Sequence, residues 1–274
     1  MAAGRDSAAS SPVRRIVITG ASSGLGRALA EQLLREAGCT LLTLSRQPLA
    51  ALQEQARQSG AQLVQWQQDL TDAPAAARRL AEWLQAVPPG RFGSAALINN
   101  AGVIPRISRL GDTRSAGSDA ADLAGVSQSI RAGLEAPLLL CAAFLSATRQ
   151  WPAGRKVLNI SSGLGRRPLA AQAPYCAAKA GLDHLTRCLA LEEAARPDGQ
   201  GARVCAIAPG VIDTDMQAQL RGASVQDFPG QGRFAALKAD GQLASAEDTA
   251  RRLLAYLARP DFGSEAVDDI RRHG

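Results

Sequence analysis

The chain has 274 residues, 46% hydrophobic and 20% charged, an ordinary globular balance with length enough for one full α/β core. The net charge of +6 rests on 31 basic residues, only three of them lysine (156, 179 and 238). They stand singly or in pairs, with no basic run interleaved with aromatics, which argues against nucleic-acid binding. The longest apolar run, about 137–145, is far short of the ~20 residues of a membrane span, so no membrane partner is expected.

Residues 1–12 are small, polar and charged. They are expected to be a disordered lead without the apolar stretch of an export signal, which points to the cytoplasm. Five cysteines (39, 141, 176, 188 and 205) include no CxxC pair. Reduced thiols are expected, and no metal site. Strand patterns fall at 13–19, 39–45, 62–66, 95–98, 155–161 and 203–208. Helical patterns fall at 24–37, 48–59, 72–86, 119–150 and 174–195. This alternation predicts a single α/β domain over 13–274, a doubly wound parallel sheet (a Rossmann fold) with helices on both faces. Residues 103–118 read as a polar loop. Residues 213–243 show no clear period and are expected to form a substrate lid. A helix at 246–258 and a short strand at 266–270 close the chain.

The first strand runs into Gly20, Ala21, Ser22, Ser23, Gly24, Leu25 and Gly26. Glycine permits a tight turn and leaves no side chain between backbone and ligand. The helix that follows offers free N–H groups and a positive dipole end, which suit a pyrophosphate. The same residues match a G-x-S-x-G nucleophile elbow. A hydrolase would need a histidine partner, and the chain has only His184 and His273. The second strand ends at Ser45-Arg46. An acidic residue there would bind a ribose 2′-OH, whereas arginine can hold a 2′-phosphate. NADP(H) is the expected cofactor.

Tyr175 and Lys179 are four residues apart in a helical pattern, about 400° of rotation, so they share one face. An ammonium group beside a phenol is expected to lower its pKa from ~10 and make it a general acid or base. The chain has only two tyrosines, and Ser162 ends the fifth strand thirteen residues before Tyr175. A strand-end serine can hydrogen-bond a substrate carbonyl.

With the glycine turn, Asn99-Asn100-Ala101-Gly102, Ser162, Tyr175-x-x-x-Lys179 and Pro209-Gly210 in order, the chain resembles the short-chain dehydrogenase/reductase family over about 13–270. The resemblance implies hydride transfer between a nicotinamide cofactor and a small carbonyl or alcohol. It implies Tyr175 as acid or base, Lys179 holding the nicotinamide ribose, and Ser162 orienting the carbonyl. It places Asp69-Leu70 at the adenine and Asn100, Ala101 and Gly102 against the cofactor. Pro209, Gly210, Val211, Ile212 and Thr214 would hold the carboxamide. Homodimers or homotetramers through the 119–150 and 174–195 helices are implied as well. The run 210–216 and the terminal Phe262-Gly263-Ser264 with Val267-Asp268 are similar to the sepiapterin-reductase and benzil-reductase-like branch.

One position departs from the family pattern. Gly133 stands where an asparagine is usual, four residues before Pro137. In the family that residue's carbonyl holds a water of the proton relay, so the relay is expected to survive with weaker support. The alternative is a non-catalytic dinucleotide-binding sensor or scaffold, for which Gly133 speaks and the intact Ser162, Tyr175 and Lys179 do not.

Overall fold

The structure, a computed structural model, describes residues 14–111, 119–152 and 154–273. The expected N-terminal lead and residues 112–118 of the polar loop lie outside these. Strands β1 (Arg14–Thr19), β2 (Cys39–Ser45), β3 (Gln62–Gln67), β4 (Ser94–Asn99), β5 (Gly154–Ile160), β6 (Arg203–Ala208) and β7 (Val267–Asp269) form one sheet. Every pairing is parallel, in the order β3-β2-β1-β4-β5-β6-β7. The helices in chain order are α1 (Gly24–Leu33), α2 (Ala50–Ser59), α3 (Ala73–Gln85), α4 (Asp119–Ile130), α5 (Ala136–Ala147), α6 (Ala173–Ala194), α7 (Asp215–Gly222), α8 (Gln231–Ala239) and α9 (Ala246–Ala258).

The apolar runs in the strands are continuous because both faces of the sheet are covered. On β1, Ile16 and Ile18 point to one side, with Leu29 and Leu33 of α1 and Leu253 of α9. Val17 points to the other, with Leu80 and Leu84 of α3 and Leu140 and Phe144 of α5. That is the two-residue period of a strand read against two helical layers. The strand order reverses beside β1, where β2 lies on one side and β4 on the other. The crevice beyond the strand ends at such a point is where sheets of this kind take ligands.

Several elements differ from the sequence expectation. The first helix stops at Leu33 rather than 37, and the chain turns at Gly38, whose φ is 80°. The long helix expected over 119–150 ends at Ala147 and is interrupted by a π turn, Arg131–Glu135, in which Ala136 N–H bonds the Arg131 carbonyl. The cause is two residues on: Pro137 has no N–H to return to the Gly133 carbonyl, so regular α bonding cannot continue there. By length and composition the Leu123–Ala147 stretch could cross a bilayer. Here Ala136, Leu140, Cys141 and Phe144 are wholly buried in the fold. The 213–243 segment, expected without periodic structure, contains α7 and α8. Leu220, Phe228 and Phe234 fold it onto Ile104, Ile107 and Leu169. Asp213 pairs with Lys238 at 2.5 Å and with Arg221 at 3.6 Å. These helices are short; Leu220 is the buried residue of α7, and α8 buries none, so they leave little amphipathic signal. The closing strand is shorter than expected and ends in a 3-10 turn, Ile270–Arg272.

Candidate active site

A cleft of about 450 Å³ follows the carboxyl ends of the strands. Its wall includes most of the residues singled out from the sequence: Gly20, Ser22, Ser23, Gly24, Leu25 and Gly26 at one end, with Arg46, Asp69 and Leu70 beside them. Asn100, Ala101 and Gly102 lie along the middle, and Tyr175, Lys179, Pro209, Ile212 and Thr214 stand at the other end. Three expected residues do not line it. Gly210 makes the turn after β6 at φ 85°, and a Cβ there would face Arg271. The Val211 carbonyl is taken by the Ala244 N–H at 2.9 Å. Ser162 opens a 3-10 turn, its Oγ accepting from Leu164 N–H at 3.1 Å, and Ser161 lines the cleft instead. Sequence reasoning also missed Ile104, Gln128, Met216 and Gln219, which lie in irregular or weakly periodic segments.

The glycine turn is shaped by close approach. A Cβ on Gly26 would stand 2.1 Å from the Gly20 carbonyl oxygen and 2.4 Å from Asn100 Nδ2. Gly20 and Gly24 have φ of 72° and 51°, a region that favours glycine. Asn100 holds the turn in place: its Nδ2 donates to the carbonyls of Thr19 at 3.1 Å and Gly20 at 3.2 Å. The Thr19 hydroxyl, unremarked in the sequence, accepts from the backbone N–H of both Asn100 and Ala101 at 3.0 Å. Ser23 caps α1 without a side-chain bond, and Gly24, Leu25 and Gly26 of its first turn line the cleft. A bare backbone cradle with a positive helix end fits a dinucleotide pyrophosphate.

Arg46 is exposed at the end of β2, beside the buried Ser45. Across the cleft wall, the Asp69 carboxylate accepts from Thr71 N–H and from the Thr71 hydroxyl, both at 2.9 Å. These bonds, with the Arg46 charge, hold Asp69 below its usual range. No acidic residue stands beside Arg46 on β2 to repel a phosphate.

Tyr175 and Lys179 face the cleft from α6 and are 8% and 3% exposed. Lys179 Nζ lies 5.7 Å from the Tyr175 ring centre and donates to the Ile160 carbonyl at 2.7 Å. Burial raises Tyr175 to about 12, with the neighbouring Ser162 hydroxyl pulling the other way. Burial lowers Lys179 from 10.5 to about 8, against the pull of Asp183. The expected depression of the tyrosine by the ammonium is therefore not what this geometry gives: desolvation dominates, and the opposing pull comes from Ser162. A phenol near 12 beside an ammonium near 8 is a protonated acid at neutral pH. Ala171, at φ 64°, sets the entry to this helix four residues before Tyr175.

Gly133 packs against the same helix. A Cβ there would lie 3.1 Å from Ala178 Cβ, so the π turn approaches α6 more closely than most side chains allow. Among the described residues, no group of three or more histidine, cysteine or acidic side chains is placed to hold a metal.

The short chain dehydrogenase family model matches residues 14–224. The chain belongs to the short-chain dehydrogenase/reductase family. Curated relatives include benzil reductase ((S)-benzoin forming) of Bacillus cereus, 33% identical over 91% of this chain and 96% of that one. Sepiapterin reductase of Rattus norvegicus is 35% identical over 93% and 95%. A crystal structure of a Beutenbergia cavernae protein with NADP bound at low occupancy superposes with a TM-score of 0.74 at 28% identity, covering 94% of each chain. Both branches suggested by the residues at 210–216 and 262–268 are thus represented. The chain is an oxidoreductase of a family that acts on carbonyls and alcohols with nicotinamide cofactors.

Proposed function

We propose that this enzyme reduces small, apolar carbonyl compounds with NADPH, with Tyr175 as the proton donor. The observation that carries this reading is the buried Tyr175–Lys179 pair at one end of a cleft whose other end is the glycine turn and Arg46. When bound, a reduced nicotinamide supplies the hydride to the carbonyl carbon. Tyr175 gives its phenolic proton to the carbonyl oxygen, and the Lys179 ammonium offsets the charge left on the phenolate. Ser162 stands outside the cleft wall but beside the Tyr175 phenol; its Oγ accepts from Leu164 N–H, and its own hydroxyl proton orients the carbonyl. Pro137 leaves the Gly133 carbonyl without its α-helical donor, and this carbonyl accepts from a water that returns the proton. Arg46 selects the 2′-phosphate through charged hydrogen bonds, and an NADP-bound relative supports this choice.

Val103, Ile104, Ala132 and Met216 contribute apolar surface to the cleft, alongside Gln128 and Gln219. Together with the benzil reductase relatives, this favours aromatic ketones and 1,2-diketones. Five unpaired cysteines support a reducing compartment such as the cytoplasm. Leu138 and Leu191, exposed on α5 and α6, support association of two or four copies through those helices.

The test is NADPH and NADH consumption across aldehydes, ketones and 1,2-diketones. Turnover with NADPH is expected, and Tyr175→Phe should abolish it while leaving NADPH binding intact. Tight NADPH binding without turnover on the whole panel would sink the reading and favour a non-catalytic sensor.

A further inference from the structure

The turn that carries Ser162 and the helix that carries Tyr175 and Lys179 meet at one buried carboxylate. Asp183 lies one helical turn beyond Lys179 and is 2% exposed. Its Oδ1 accepts the Ser161 hydroxyl proton, and its Oδ2 accepts from Arg166 Nε at 3.1 Å. Ser161 sits between Ser162 and Ile160, the residue whose carbonyl accepts Lys179 Nζ. Gly165 closes the arrangement from the other side. A Cβ there would lie 2.9 Å from the Lys179 carbonyl oxygen and 3.1 Å from Asp183 Oδ2. The serine turn is therefore pressed onto the stretch of α6 between Lys179 and Asp183.

The charges make the same connection. Lys179 is buried and its ammonium donates to a neutral carbonyl, so the negative charge at Asp183, on the same helix face, is what favours its protonated form. Arg166 opposes this effect, because it neutralises Asp183 from the solvent side. Among the described residues, the other titratable groups around the pair include Tyr175 and Cys176 on α6, Cys205 on β6 and, behind it, Tyr256 on α9. Beyond Arg166 lie Asp268, bonded to His273, and Asp269, paired with Arg271. Arg166 reaches that segment by donating through Nη2 to the Asp268 carbonyl at 2.8 Å.

We propose that Asp183 is a positioning residue for proton transfer, holding the serine turn against α6 and supplying the negative charge that keeps Lys179 protonated. The proposal rests on the roles given above to Tyr175 and Lys179. Its test does not depend on turnover. Because the chain has three lysines, ¹³Cε-lysine NMR of the whole protein resolves Lys179, assigned by its loss in Lys179→Met. In Asp183→Asn the Lys179 titration midpoint should fall by about one pH unit. In Arg166→Gln, which relieves the neutralisation of Asp183, it should rise. The alkaline limb of kcat/KM should move in the same direction in each variant, with KM for NADPH little changed. A midpoint unmoved in a folded Asp183→Asn, or moved the same way by both substitutions, overturns the proposal. If Asp183→Asn does not fold, Arg166→Gln decides alone: a rise supports the coupling, and no change or a fall refutes it. Loss of the catalytic reading would appear separately, as undiminished turnover in Tyr175→Phe.

Discussion

Lys179→Met removes a buried charge and keeps the length of the side chain. Burial lowers the lysine from 10.5 to about 8 in the folded protein. Between those values the unfolded chain holds the proton and the folded chain has released it, so stability rises with pH across the window. The whole displacement corresponds to about 3 kcal/mol at ~1.4 kcal/mol per pH unit. From about pH 7 to about pH 9.5 the protein should gain about 2 kcal/mol from this one group. Methionine has no proton to lose. The stability of the wild type minus that of Lys179→Met should therefore grow by about 2 kcal/mol over that range, while other alkaline groups cancel in the subtraction. Urea unfolding followed by the fluorescence of Trp66, Trp83 and Trp151 at several pH values gives both curves. Near neutrality the variant should be at least as stable as the wild type and inactive, the pattern expected where function requires an unfavourably buried group. Parallel curves for the two proteins would refute the argument, since they would mean that Lys179 titrates alike in the folded and unfolded chains.

Three further substitutions probe the cleft. Arg46→Ala should raise KM for NADPH by about 10- to 100-fold, the worth of a charged hydrogen bond to phosphate, and leave NADH unaffected; an equal change for both cofactors would remove Arg46 from phosphate selection. Gly26→Ala drives a Cβ into the Gly20 carbonyl and Asn100, so the thermal shift produced by saturating NADPH should disappear. Gly133→Asn should improve helix propensity by under ~1 kcal/mol yet crowd Ala178, at about 1–3 kcal/mol for overpacking. Lower Tm and a large loss of turnover are expected, and faster turnover would show that the family's usual asparagine is simply missing here.

The fold was legible because its signals are local. Ile16-Val17-Ile18 announces a strand covered on both sides, and Gly20 to Gly26 announces the turn into α1. The Tyr175–Lys179 spacing survives because four residues on a helix mean one face in any fold. Spacing also carries geometry without electrostatics. It gives a tyrosine beside an ammonium and suggests a lowered phenol, whereas burial, which depends on the whole fold, reverses the direction. Helices α7 and α8 escaped for the opposite reason. Their apolar residues meet Ile104, Ile107 and Leu169 from far along the chain, and α7 and α8 alone carry too few of them to set a period.

Gly133 links a local signal in the sequence to contacts made far along the chain. From the sequence it is a missing asparagine, and the natural inference is a weakened relay. In the fold Pro137 withholds the N–H that an α-helix would aim at the Gly133 carbonyl, so the proposed relay needs that carbonyl and not a side chain. The glycine itself lets the π turn lie against Ala178, between Tyr175 and Lys179 on α6. The Cβ of an asparagine here would stand 3.1 Å from Ala178 Cβ, so that side chain could enter only if α6 gave way. The bracing visible in the structure comes from the opposite flank of α6, where Asp183 and Arg166 hold the serine turn. Residues 161, 166 and 183 belong to a strand end, a turn and a helix, so no single periodicity could have grouped them. They meet because Gly165 lets the turn lie on the helix, and the charge of Asp183 reaches Lys179 along that flank.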